Sequence, residues 1–327
     1  MTESHGARPS SNKRRALILV AGLGVLLYTV AALSTDADKL RMALSQLGWL
    51  GSGLVLGLSL VNYLFRFQRW RLYIAELGHR LPTGQHLLYY LSGFAFTVSP
   101  AKAGEAVRSL YLREHGVSYP ESIAALFVER LLDLLAMALL ASLIVLDQLQ
   151  YWPVLAAAIA ITVGLLLLIG QPALPRWTSR LSARRSGRLS AALAHLTKLL
   201  QSSQNLLRPQ LLIVGLVLGV IAWGAEGIGF QLICRGLQFD LSPAAATGIY
   251  AIAALGGGAA FFMPGGIGGM EVVMTSLLVA RGMPLSVAII ATLLCRLATL
   301  WFAVVIGLIT AAILEAQVKT RPIRSLP

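Results

Sequence analysis

Acid is scarce in this chain of 327 residues: 14 Asp and Glu face 27 Lys and Arg, and charged residues of both signs make up only 13%. Soluble domains carry about 25%, so the shortage of charge excludes an ordinary soluble globular domain. Cysteine is nearly missing. Cys234 and Cys295 stand in or beside apolar stretches without CxxC spacing, which argues against a disulfide framework and leaves two small apolar packing residues. His5, His79, His86, His115 and His195 are scattered, with no HExxH or other metal-ligand spacing. No Gly-x-Ser-x-Gly elbow precedes a suitable His and Asp, so metal-dependent and serine hydrolysis lack support. No cofactor, metal or enzymatic activity is expected. The apolar runs do not alternate with period 2, which excludes a β-barrel.

What the chain has instead is apolar length. It is 57% hydrophobic with a mean hydropathy of +0.74. Apolar segments fall at 16–33, 48–65, 85–99, 119–146, 152–170, 210–234, 244–263 and 284–314. Several reach or approach the ~20 residues that cross a bilayer core. Lys13-Arg14-Arg15 before the first segment resembles a signal peptide. No small-residue cleavage site is followed by a soluble mature protein, so the segment reads as a retained first span. No soluble domain is expected on either side of the membrane region.

The net charge of +13 invites a nucleic-acid reading, but the basic residues cluster in short loops, the pattern of cytoplasmic loops. The leader 1–15 holds Arg8, Lys13, Arg14 and Arg15, and the loop after the second segment holds Arg66, Arg69, Arg71 and Arg80. Loop 171–209 has seven Lys or Arg and no acid, and the tail has Lys319, Arg321 and Arg324. Loops 34–47, 147–151 and 235–243 together hold three basic residues against four acids. Both termini are therefore expected inside. Within 171–209, Arg176, Arg180, Arg184, Arg185 and Arg188 lie near helical spacing with Trp177, Leu181 and Leu189 between them. That pattern suits a basic amphipathic helix on anionic headgroups or a plain topology anchor.

This assignment makes the parity of the spans informative. Residues 85–118 must enter and leave on one face, and 244–283 on the other. Each stretch breaks at a Pro and Gly: Pro100 and Gly104 in the first, Pro264, Gly265, Gly266 and Gly268 in the second. Each break then presents a Glu, and an Arg follows 25 residues later, Glu105 to Arg130 and Glu271 to Arg296. The fold expected is an all-α polytopic membrane protein, with about six full spans and two re-entrant helical hairpins in an inverted repeat. It would form one domain over 16–314, with halves at about 48–146 and 210–314, a cytoplasmic basic loop 171–209 and a tail 315–327. Irregular backbone at membrane depth survives only where protein or a wet cavity covers it, so the two breaks should meet near the bilayer middle. Simple kinked hairpins with nothing at their tips are the plainer reading.

Segment 119–146 carries Glu129, Arg130 and Asp133. Glu129 and Asp133 share a helix face at i and i+4, with Arg130 adjacent. Each costs about 2.5–3.5 kcal/mol at a helix centre on insertion scales. They must be paired or solvated, and such residues are functional candidates. Glu105, Arg108, Glu271 and Arg296 join them as the expected substrate path. Ion pairs of Glu105 with Arg130 and Glu271 with Arg296, locking the repeats, are the structural alternative. Glu226, in the small-residue stretch Gly224-Ala225-Glu226-Gly227, reads as locally satisfied while neighbours pack closely. The glycines at 256–258 and 265–269 lack the GxxxxGK[ST] pattern, so no nucleotide site is expected.

The residues Pro100-Ala-Lys-Ala-Gly104-Glu105-Ala-Val-Arg108, Glu129-Arg130-Leu-Leu-Asp133 and Pro264-Gly-Gly-Ile-Gly268 resemble those of the lysylphosphatidylglycerol synthase/flippase transmembrane-region family, over roughly 45–314. The resemblance implies a lipid translocator of the inner membrane. Best-known members fuse this region to a soluble aminoacyl transferase, for which this chain is expected to have no room. Where the family often places a basic residue before the second Glu, this chain has Met270, so headgroup preference is not carried over. The expected partners are membrane lipids with an anionic or zwitterionic headgroup, with no nucleic acid, and self-association is left open. The rivals are a membrane-embedded enzyme and an accessory subunit of envelope lipid or glycan assembly.

Overall fold

The longest helix, α1 (Ala37–Glu76), is broken at Gly48, whose φ of 63° splits it into a short leading piece and a long, mainly apolar one. The computed structural model describes residues 37–98, 105–145, 152–184, 186–259 and 268–320. Among them every regular element is helical. After α1 come α2 (Thr83–Ser92), a 3₁₀ turn (Gly93–Phe96), α3 (Arg108–Arg113) and α4 (Tyr119–Val145). A middle section follows, α5 (Trp152–Gly170), α6 (Ala173–Ala183) and α7 (Arg188–Leu206). Last come α8 (Pro209–Gly236), α9 (Pro243–Ala259), α10 (Gly269–Ala280), and α11 (Leu285–Arg296) running through a π turn (Leu297–Trp301) into α12 (Phe302–Thr320).

Proline punctuates these elements. Pro82 and Pro284 sit at the N-caps of α2 and α11, and Pro209 opens α8, where the missing N–H has no helical partner to lose. Gly78, Gly116 and Gly282 take positive φ in the turns between helices, the usual way for a chain to leave a helix.

By length and composition three helical stretches can cross a bilayer: Ser45–Glu76, Pro209–Gly236 and Leu285–Gln317. A fourth is added if Leu155–Gly170 and Ala173–Ala183, bent by 54°, count as one. α4, at 27 residues, is long enough to span the ~30 Å core, but Glu129, Arg130 and Asp133 lower its hydropathy. Large apolar side chains such as Leu60, Leu64, Ile161, Leu167, Ile213 and Ile309 are exposed while arginines and glutamates are buried. That reversal of the soluble pattern fits a lipid surround. The protein is a multi-pass helical membrane protein.

α1 lies along α8, and α4 packs on α7, α8 and α9. The first half is sealed by aromatics, with Tyr63, Phe67, Trp70, Tyr73, Tyr90 and Phe94 buried together. Smaller aliphatics fill the second, among them Ile249, Met274, Leu278 and Ile290. Two expectations need correction. The second apolar segment does not end at 65, because α1 continues to Glu76 and takes Arg66 and Arg69 with it. Nor do the arginines of 176–188 lie on one helix: Gly187, at φ 74°, separates α6 from α7, and the two helices pack on each other through Thr197 and Thr178 at 2.8 Å.

Candidate functional site

The first half builds a charged cluster around α4. Its pattern places Glu129 and Asp133 one turn apart, and both turn inward, 0% and 4% exposed. α1 supplies Arg66 and Arg69, carried by the same helical face that buries Tyr63, Phe67, Trp70 and Ile74. The segment just before α3 supplies Glu105, and α3 begins with Arg108, both 1% exposed.

With Arg130 of α4, beside Glu129 in the chain, the charges number seven, and they interlock. Arg108 Nη2 donates to Glu129 Oε2 at 2.7 Å. Arg130 Nη2 donates to Glu105 Oε2 at 3.1 Å and to Glu129 Oε1 at 3.2 Å, while its Nη1 lies 3.3 Å from Asp133 Oδ2. Arg69 Nη2 donates to Asp133 Oδ1 at 2.5 Å. Arg66 Nη2 stands farther off, 3.5 Å from Glu129 and 3.9 Å from Glu105. Neutral donors complete the carboxylate shells: Thr97 Oγ1 to Glu105 at 2.6 Å, Tyr90 Oη to Glu129 at 3.3 Å, and Trp223 Nε1 to Asp133 at 2.9 Å. The Arg108 guanidinium lies 3.6 Å from the Trp70 ring centroid, and that of Arg66 lies 5.1 Å from Trp223, positions that favour a cation. Arg130, with 24% of its side chain exposed, is the most open of the seven.

Close helix packing makes this possible. A Cβ on Gly219 of α8 would lie 2.9 Å from Arg69 Nη1 and 3.3 Å from the Ala136 methyl. Only glycine lets α8 approach both α1 and α4 at that level. Gly215, one turn earlier, offers its carbonyl to Arg69 Nη1 at 3.4 Å.

The second half holds a smaller site. Gly268, at φ 93°, starts α10. Its N–H donates to Glu271 Oε2 at 2.8 Å, and Arg296 Nε donates to Glu271 Oε1 at 2.8 Å. Arg296 Nη1 reaches Met270 Sδ at 3.2 Å, so the residue standing where a basic side chain was looked for is itself contacted by the arginine. Glu226, buried on α8, accepts from Tyr250 Oη of α9. A groove of about 350 Å³ beside Glu271 is lined by Thr275, Ser276 and Thr292. The glycines at 256 and 257 serve packing: a Cβ on Gly257 would meet that of Met270 at 2.9 Å.

Both spacings of 25 residues are therefore realised as ion pairs, Glu105 with Arg130 and Glu271 with Arg296. Each clips a segment to the next helix inside its own half; neither ties the halves together. The sequence reading missed Arg66 and Arg69, which it placed in a loop, and the donors Tyr90, Thr97 and Trp223. The helical recurrence of Tyr63, Phe67, Trp70 and Ile74 was the signal that α1 runs on. Of the expected hairpin breaks, Gly268 is described; Pro100, Gly104, Pro264, Gly265 and Gly266 lie outside the described residues, as does the expected meeting of the two breaks. Cys234 and Cys295 are free and buried. No group of three or more His, Cys, Asp or Glu suited to a metal occurs among the described residues.

Comparison with known proteins bears on this arrangement. Glycosyltransferase AglD of Haloferax volcanii is 32% identical over 140 residues, which are 40% of this chain and 22% of that protein. The chain thus matches about a fifth of that relative's length. The sequence profile described as the lysylphosphatidylglycerol synthase TM region matches residues 16–307. Both names are those of enzymes, which runs against the non-enzymatic expectation without assigning a reaction to this chain. With nearly its whole length matched, the chain belongs to the lysylphosphatidylglycerol synthase transmembrane-region family.

Proposed function

We propose that this protein carries polar-headed lipids, or lipid-linked molecules, between the leaflets of the inner membrane, with both termini on the cytoplasmic side. The observation that carries this reading is the set of seven charges, six of them buried and Arg130 partly open, assembled from α1, the segment before α3, α3 itself and α4. A headgroup crossing a bilayer needs polar partners at depth, and helices with apolar outer faces keep the acyl chains in lipid. The two broken segments act as re-entrant hairpins of opposite orientation, and the Glu105–Arg130 and Glu271–Arg296 pairs act as their latches. Arg130, partly open and bonded to carboxylates on both sides, is where a headgroup exchanges for an internal partner. No nucleotide motif accompanies the path, so transport runs downhill or with an ion. Family membership supports a membrane-lipid role.

The test is reconstitution in liposomes with fluorescent lipids of differing headgroup, comparing the wild type with Arg130→Ala. At least one headgroup should cross faster than in protein-free vesicles. The variant, which loses charge-assisted hydrogen bonds each worth about 1.5–3 kcal/mol, should slow it roughly tenfold or more. If no headgroup crosses faster than in empty vesicles, the translocation reading fails. A second reading, an enzyme or accessory subunit of envelope lipid or glycan assembly, draws on the likeness to a protein named a glycosyltransferase. Replacing both Glu105 and Arg130 without loss of assembly or function would favour the accessory role.

A further inference from the structure

The first cluster does not balance. Arg66, Arg69, Arg108 and Arg130 oppose Glu105, Glu129 and Asp133, four cations against three anions, all seven joined by contacts of 3.9 Å or less. Arginine stays charged in proteins, and each carboxylate is held by at least two guanidiniums, so the cluster carries an excess of +1. Its surplus of donors is larger. Arg66 Nε and Nη2, Arg69 Nε, Arg108 Nε and Nη1, and Arg130 Nε are buried and find no hydrogen-bond acceptor among the described residues.

Arg66 concentrates both surpluses. Arg69, Arg108 and Arg130 each have a carboxylate oxygen within 3.1 Å, whereas the nearest to Arg66 is at 3.5 Å. Its Nε and Nη2, the two donors that point the same way along one edge of the guanidinium, are both unused. Such an edge fits two oxygens of one anion, and a tetrahedral phosphoester, unlike a planar carboxylate, has further oxygens to turn toward a second arginine. Arg108, which shares Glu129 with Arg66, adds two further unused donors from its seat over Trp70.

We propose that Arg66, with Arg108 beside it, is the receptor for the phosphoester of a lipid headgroup, and that the excess positive charge is what selects it. This deepens the translocation reading by naming the chemistry the path accepts. A phosphoester is an acceptor-only anion, which matches six unused donor nitrogens set against one unused carboxylate oxygen, Asp133 Oδ2. It is also the anion an amphiphile brings with it when its acyl chains stay outside the bundle. When bound, it takes Arg66 over from its two long contacts with Glu105 and Glu129 and leaves the shorter ion pairs intact. A zwitterionic phospholipid qualifies as well as an anionic one, since both carry the group.

The test measures binding, not transport. The full chain, purified in detergent, is titrated with phosphatidylglycerol, with diacylglycerol of the same acyl chains, with oleate and with aqueous inorganic phosphate, and complexes are counted by native mass spectrometry. Wild type should prefer phosphatidylglycerol to diacylglycerol and to oleate by about tenfold or more. Arg66→Gln, which brings the cluster to three against three, should abolish that preference while the melting temperature holds or rises. Arg66→Lys keeps the charge without the two-pronged edge and should retain only part of it, and this second variant decides the matter if the first fails to fold. Competition by inorganic phosphate would extend the site to free phosphate; its failure to compete would restrict the site to lipid. An undiminished preference in both variants, or equal binding of diacylglycerol or oleate by the wild type, would overturn the proposal. Arg66-dependent binding in preparations that translocate nothing would instead sink the translocation reading and leave this one standing.

Discussion

The two regions around Arg130 and Arg296 share one ion-pair spacing and differ in what they bury. In each, a carboxylate at the start of a short helical segment meets an arginine 25 residues on, Glu105 with Arg130 and Glu271 with Arg296. Around the first pair stand five more charges; around the second stand Met270, the Tyr250–Glu226 contact and aliphatic packing. The pair is thus the common clip that holds segment to helix. Arg66, Arg69, Arg108, Glu129 and Asp133 are additions to it, and they are where the chemistry of the first half departs from that of the second.

Removing Glu129 tests that distinction most severely. It touches four arginines, and Glu129→Ala leaves them with two carboxylates in a buried site. Breaking a buried network from one side costs about 3–5 kcal/mol, which should appear as a large fall in melting temperature in detergent. Glu271→Gln in the second half loses one ionic bond and keeps an oxygen for the Gly268 N–H, so it should cost about 1.5–3 kcal/mol. Equal losses in the two variants would erase the asymmetry.

The contrast also explains what could be read from the sequence. Helical class and the two pairs follow from hydropathy and from spacing, because a charge in an apolar run has few ways to be satisfied. Arg66 and Arg69 escaped because basic residues after an apolar run look the same whether the chain leaves the membrane or the helix continues into a protein core. Charge counting cannot separate those cases, and only the aromatic face of α1 could. Tyr90, Thr97 and Trp223 had no signal, since a hydroxyl or indole N–H becomes a carboxylate donor only through tertiary approach. Gly219 belongs to the same class, being one of many glycines until α8 is laid against Arg69.

Helix approach offers the next way to sharpen the comparison. Gly307 of α12 faces the 3₁₀ turn so closely that a Cβ would overlap the backbone of Ala95. Gly307→Ala must push α12 away from the segment leading to Glu105, at a cost of about 1–3 kcal/mol for overpacking. Gly224→Ala on α8, where a Cβ meets nothing within 4 Å, should be neutral or nearly so by the same thermal measurement. Trp223→Phe is milder and bears on the cluster directly. It keeps the ring near Arg66 and removes the N–H bonded to Asp133, for about 1–3 kcal/mol.

The smallest effect is expected at the edge of the first half. Glu121 at the start of α4 accepts from the Ser118 backbone N–H and hydroxyl at 2.7 and 2.6 Å and lies 3.5 Å from Lys198 of α7. The lysine is half exposed, so solvent screens the pair and Lys198→Ala should cost only about 0.2–1 kcal/mol. Ser118→Ala should cost about 0.5–2 kcal/mol, because it removes a short helix-start hydrogen bond from the hydroxyl to the Glu121 carboxylate, which at contact distance salt screens little. Raising salt should shrink the Lys198 effect and leave the Ser118 effect in place. A Lys198 loss as large as that at Glu129, and insensitive to salt, would mean that the charges at the bundle's margin are as tightly coupled as those inside it, and the division between clip and cluster would no longer hold.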